Sequence, residues 1–191
     1  MSMFARFLVF NEARTYSVKI NDPLFNLFNA IDLNIIAFPV IYVALISFIV
    51  YHSFRPKALM LAFNSYALMV WIRMFAMYVT PLDVASGAID LRDPIVFFVG
   101  TGGMVTKDLF FSGHTASLTL LALVTFNAKK LSGQDYSLKI DNFMKVFFFV
   151  CLVTVGSSVV LQKAHYTIDV FAALFFAYGA YAIVKKIYGV K

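Results

Sequence analysis

Two histidines and one aspartate stand out by type and spacing. His165 precedes Asp169 by four residues, so on a helix the two share a face. A carboxylate there can accept the imidazole N–H, fix the tautomer and stabilise the cation, which leaves the other ring nitrogen free as a nucleophile. His114 follows Ser112 and Gly113. That order places a hydroxyl and a close-approaching backbone at the start of an apolar run, where a helix N-terminus holds anions well. Arg73 sits within another apolar run. A guanidinium at that depth wants a buried anion, and its fork suits phosphate. Lys163, two residues before His165, adds a second cation. Together these residues describe phosphoryl transfer: one imidazole attacks phosphorus, the other handles the leaving group's proton, and cations hold the oxygens.

The elements that must position them are membrane helices. The chain has 191 residues, 61% of them hydrophobic, with 22 Phe; soluble domains sit nearer half apolar. A spanning helix needs roughly 20 apolar residues. Five stretches qualify: 34–54, 57–79, 110–127, 143–161 and 165–188. The expected fold is therefore all-α, a polytopic transmembrane helix bundle forming one membrane domain over 34–191. Residues 1–33 mix short apolar runs with Arg6, Glu12, Arg14, Lys19 and Asp22. They read as an interfacial helix followed by a turn at "NDPLF". In the 80–108 loop, "IVFFVG" is too short to span and is expected to dip into the interface, and Asp90, Arg92 and Asp93 read as a solvated turn.

Charge orients the bundle. Arg55, Lys57, Lys129, Lys130, Lys139, Lys145, Lys185, Lys186 and Lys191 fall on one side, against Asp135 and Asp141. The other side carries Arg92, Lys107 and Lys163 against Asp83, Asp90, Asp93 and Asp108. The positive-inside rule makes the first side cytoplasmic, so both candidate histidines are expected at the non-cytoplasmic face. His52 falls on the cytoplasmic side and reads as an interfacial residue without a role. The single cysteine, Cys151, cannot form an internal disulfide.

Four segments then resemble a known family. "SGHT" (112–115) with "HYTID" (165–169) is similar to the type 2 phosphatidic acid phosphatase superfamily, and specifically to its sphingomyelin synthase-like branch. "DPLFNLFNAIDLN" (22–34), "RMFAMYVTPL" (73–82), "DLFFSGHTASLTL" (108–120) and "AHYTIDVFAALFFAY" (164–178) resemble that branch's four motifs in order. The resemblance implies that His165 forms a phosphohistidine, that Asp169 orients it, and that His114 protonates the departing group and then deprotonates the acceptor. It implies an outward-facing site. Three departures stand out. Phe111 occupies the place of a superfamily proline. Val159 occupies that of an arginine, so Lys163 or Arg73 must supply the charge. The family has six spans, so residues 3–20 would have to cross for this chain to match it. "RP" at Arg55-Pro56 imitates the superfamily's first motif but lacks its upstream lysine and lies on the cytoplasmic side.

The expected function is lipid phosphotransfer from a membrane phospholipid to a lipid alcohol such as ceramide, with water as the acceptor in the alternative, a phosphatase or phospholipase C-type hydrolase. No cofactor, no metal and no nucleic acid partner is expected; a homo-oligomer is compatible with the sequence. A zinc site from His114, His165 and Asp169 would leave Ser112, Gly113 and Arg73 unexplained. A transporter would carry polar relay residues deep in several spans, whereas here the ionisable groups gather at span ends. A catalytically dead scaffold is at odds with a complete triad.

Overall fold

The computed structural model describes residues 3–15, 17–94, 105–132 and 137–189, with the last four residues of α4 described by backbone alone. "IVFFVG" lies within 95–104, outside the described residues. Among the described residues the fold is all-helical: α1 (Met3–Glu12), a single 3-10 turn (Pro23–Asn26), α2 (Asn34–His52), α3 (Pro56–Val79), α4 (Gly113–Ser132), α5 (Leu138–Leu161) and α6 (Thr167–Ile187). Local chemistry explains the ends. Pro56 starts α3, where a missing N–H costs nothing. Asp22 caps the 3-10 turn by accepting from the Leu24 N–H at 3.1 Å. Lys185 and Lys186 close α6, where cations complement the helix dipole.

Four helices, α2, α3, α5 and α6, are long and apolar enough to cross a membrane by length and composition. The third expected span, α4, does not reach that standard, although its helix forms where the sequence places one. The physical reason is its position. It packs against α2, α3, α5 and α6, and Thr115, Ala116, Leu118, Leu120, Val124 and Thr125 along it are buried. A helix surrounded by protein need not be apolar on every face. Its polar side chains satisfy themselves on its own backbone. The Ser117, Thr119 and Thr125 hydroxyls donate to the carbonyls of Gly113, Thr115 and Leu121 at 2.8, 2.7 and 2.8 Å. Around it, α3 packs on α6 and α2 on α5. The contacts use small residues; Ala44, Ala58, Ala116, Ala173, Ala177 and Ala180 are fully buried. That is how helices approach closely where lipid offers no hydrophobic driving force.

At about 1.5 Å per residue, the ten described residues of α1 cover half a bilayer core, so α1 as described is too short to be a full span by itself. Instead α1 lies on α3. The Arg14 guanidinium donates to the carbonyls of Met77 and Tyr78 at the end of α3, at 3.3 and 3.0 Å. Val18 then pairs with the loop after α3: its N–H donates to Pro81 O at 2.9 Å, and its carbonyl accepts from Asp83 N at 3.0 Å. The N-terminal segment is thus laid across one end of the bundle.

At the other end His52 is fully buried, not interfacial. Its Nε2 lies 3.2 Å from Thr125 Oγ1, and its ring packs on Phe48 at 4.5 Å. Arg55, also fully buried, pairs with Asp141 at 3.2 Å, and Tyr51 bonds both. The "RP" pair is therefore a staple between the α2–α3 turn and the start of α5.

Candidate active site

Both histidines stand at the end of the bundle that carries the N-terminal segment. His114 is the second residue of α4. Ser112 starts that helix: its Oγ lies 3.4 Å from the Thr115 N–H and 3.1 Å from the Thr115 hydroxyl, which satisfies a first-turn donor. The hydroxyl is fully buried, so Ser112 serves the helix end directly. His165 closes the turn between α5 and α6. Val159 O accepts from the N–H of Ala164 and of His165 at 3.1 and 3.2 Å, and Lys163 adopts φ 56° to make the turn.

The expected dyad forms. His165 Nδ1 lies 3.3 Å from Asp169 Oδ2, and the same oxygen accepts the Tyr166 N–H at 3.2 Å. His165 is 3% exposed and Asp169 fully buried. The other carboxylate oxygen, Oδ1, has no hydrogen-bond partner among the described residues. Ser112 N–H donates to the backbone carbonyl of Asp169 at 3.2 Å, which ties the two histidine motifs together. Tyr166 anchors the turn, its hydroxyl donating to Asp83 O at 2.9 Å.

Asp93, read from sequence as solvated, is the second carboxylate of the site. Its Oδ2 lies 3.0 Å from His114 Nε2, and its Oδ1 accepts from the Tyr42 hydroxyl at 2.7 Å. Its side chain is only 15% exposed. Phe38 of α2 meets the His114 ring edge-on at 5.7 Å. Each imidazole therefore has its own carboxylate. Nothing in local spacing could have found Asp93, because it is 21 residues from His114 and sits in a loop without periodicity.

Arg73 does not snorkel. It is 5% exposed, pairs with Asp108 Oδ1 at 2.5 Å, and donates from Nε to Phe111 O at 2.9 Å and from Nη2 to Asp108 O at 3.2 Å. A Cβ on Gly113 would lie 2.8 Å from the Arg73 Cζ, so the guanidinium rests against the first residue of α4. Arg73, Ser112, Gly113 and His114 thus come together, and Nη1 makes no hydrogen bond among the described residues. Lys163 is held elsewhere: its ammonium donates to Phe25 O at 2.8 Å and lies over the Phe25 and Phe28 rings at 5.7 and 5.5 Å. Among the described residues, no three His, Cys, Asp or Glu side chains converge as a metal-binding group.

Residues 107–186 match the family model described as PAP2 superfamily C-terminal. The matched stretch opens one residue before Asp108, spans α4 and α5, and closes within the last turn of α6, so it contains both histidine motifs and Asp169. Arg73, Asp93 and the N-terminal segment lie outside it. No curated protein and no solved structure matches the chain. The similarity is to a superfamily of phosphatase and phosphotransferase type, and it falls on the stretch that holds the two imidazoles.

Proposed function

We propose that this chain is a membrane-embedded lipid phosphotransferase that acts through a phosphohistidine on His165. The observation that carries the reading is the pair of imidazole–carboxylate contacts, His165–Asp169 and His114–Asp93, at one end of the bundle, joined by the Ser112–Asp169 backbone bond. With Nδ1 facing Asp169, the nucleophile is His165 Nε2. Its lone pair attacks the phosphorus of a phospholipid head group, the bond from phosphorus to the glycerol oxygen breaks, and His114 gives that oxygen a proton. Because Asp93 engages Nε2 of His114, the proton leaves from Nδ1. A lipid alcohol such as ceramide then loses its hydroxyl proton to His114 and attacks phosphorus, and the P–N electron pair returns to His165. Arg73 and the α4 N-terminus hold the phosphate oxygens.

Exposure of only 3% at His165 favours a lipid acceptor over bulk water, since a closed site excludes water from a reactive intermediate. The resemblance of "SGHT" and "HYTID" to the synthase-like branch points the same way. The charge bias of the loops supports a site at the non-cytoplasmic face, with lipids arriving from that leaflet.

The test is incubation of purified protein with phosphorus-labelled phospholipid, with and without ceramide, a quench, and identification of label on histidine and in products. The expected result is label on His165, none in His165→Ala, and a head-group-carrying ceramide product. Asp169→Asn should cost roughly 10⁴-fold, as loss of the orienting carboxylate does in a catalytic triad. Near-normal turnover in His165→Ala removes the mechanism; free phosphorylated head group regardless of ceramide makes the chain a hydrolase instead.

A further inference from the structure

The N-terminal segment reaches both histidine elements with carboxylates. Glu12, the last residue of α1, accepts from the N–H groups of Thr106 and Lys107 on Oε2, each at 2.9 Å, and from the Thr106 hydroxyl on Oε1 at 2.6 Å. Asn11 donates to Lys107 O at 2.6 Å, and the Lys107 ammonium returns to Arg14 O at 2.7 Å. This clamp sits immediately before Asp108, which holds Arg73, and six residues before the start of α4. Further along, Asp22 Oδ2 accepts the N–H of Thr167 at 2.7 Å. Thr167 opens α6, two residues beyond His165. The α6 N-terminus already has its own cap in Tyr166 and Asp169, so the Asp22 bond is an additional tie from outside the helix. Ile20 N–H donates to the Tyr166 hydroxyl at 3.3 Å, and Ile31 N–H to Leu161 O at 3.1 Å, so the same segment borders the His165 turn on both sides.

We infer that Glu12 and Asp22 brace the active site: Glu12 positions the loop and helix that carry His114, and Asp22 positions the turn that carries His165. The two imidazoles must face one phosphorus from different elements, a helix and a turn, and placement errors near 1 Å cost about 100-fold. A segment bonded to both elements sets that placement. Neither carboxylate touches a reacting atom, so both are positioning residues. The inference rests on the phosphoryl-transfer reading above, and its test separates the two.

The experiment uses the full chain and two esters. One is a lipid alkyl phosphate, whose leaving oxygen needs the His114 proton. The other is a nitrophenyl phosphate, whose leaving group departs as a stable anion. Glu12→Ala should slow the alkyl ester about 10- to 100-fold and leave the nitrophenyl ester near the wild-type rate. Asp22→Ala, acting on the nucleophile, should slow both. Glu12→Gln, whose amide oxygen still accepts N–H bonds, should recover most of the alkyl rate. Equal slowing of both esters by Glu12→Ala, the signature of plain instability, or no slowing of either, overturns the brace. If Glu12→Ala does not fold, Asn11→Ala removes a neighbouring bond of the same clamp and must show the same ester selectivity. Amide hydrogen exchange supplies a readout independent of activity: Glu12→Ala should speed exchange at 106–108 and Asp22→Ala at 165–169, with Glu12→Gln closer to the wild type. Unchanged exchange there also overturns the brace. Wild-type protein that cleaves neither ester with ceramide present as acceptor overturns the phosphoryl-transfer reading, and the exchange arm still decides the brace.

Discussion

Gly113→Ala tests the close approach at the heart of the site, because two effects of known size oppose each other there. Alanine is the better helix former by up to about 1 kcal/mol, so propensity alone predicts a gain at the first residue of α4. Against it, the new Cβ would lie 2.8, 3.0 and 3.1 Å from Cζ, Nη1 and Nη2 of Arg73. Ordinary contact begins at 3.4 Å, so the guanidinium must retreat by 0.6 Å, the difference between 3.4 and 2.8 Å. The end of an arginine usually yields cheaply, but this one is buried and pinned by Phe111 O and by both the carbonyl and the carboxylate of Asp108. Loosening one charged hydrogen bond costs about 1.5–3 kcal/mol, which outweighs the propensity gain. The expected net loss is about 0.5–2 kcal/mol of stability, read as a lower thermal midpoint in detergent or nanodiscs. With Arg73 displaced from the α4 N-terminus, kcat/KM for the lipid substrate should fall about 10-fold or more. A Gly113→Ala protein as stable and active as the wild type would refute the reasoning, since propensity would then have won.

Asp93→Asn keeps a hydrogen-bonding group beside His114 but removes its charge; turnover of an alkyl phosphate should drop about 10- to 100-fold, and wild-type kinetics would return Asp93 to the role of a loop residue. For orientation, cysteines are placed at Ser86 and at Ser53, both exposed, with the buried Cys151 replaced by serine. An impermeant thiol reagent should label Ser86→Cys in intact cells and Ser53→Cys only after permeabilisation; the reverse pattern removes the outward-facing site.

The long helices were legible because lipid leaves a chain few options: apolar runs of the right length become helices. The His165–Asp169 pair was legible from its four-residue spacing, although His165 lies in the turn before α6 and Asp169 reaches back to it across the helix N-terminus. Arg73 was legible as a buried cation that needs an anion, but its anion, Asp108, was counted as a loop charge. Asp93 and the bonds of Lys163 were invisible for one common reason. Their partners, His114 and Phe25, lie 21 and 138 residues away, and only the tertiary fold sets such distances. His52 was misread because the end of a span looks interfacial in sequence, whereas Tyr51, Arg55 and Asp141 bury that end in a polar cluster. The stretch that forms α4 read as an ordinary span, because the four helices that surround it and let it carry polar groups are set only by the tertiary fold.

That enclosure bears on how the protein is made. A segment with Ser117, Thr119, Thr125 and Asn127 along it partitions poorly into bare lipid and is retained chiefly by the company of other helices. Synthesis supplies two of those companions, α2 and α3, before α4 emerges, while α5 and α6 follow it. The enclosure of the helix bearing His114 is thus complete only once the last third of the chain is in place. A chain truncated before α5 would therefore lack two of the four helices that enclose α4.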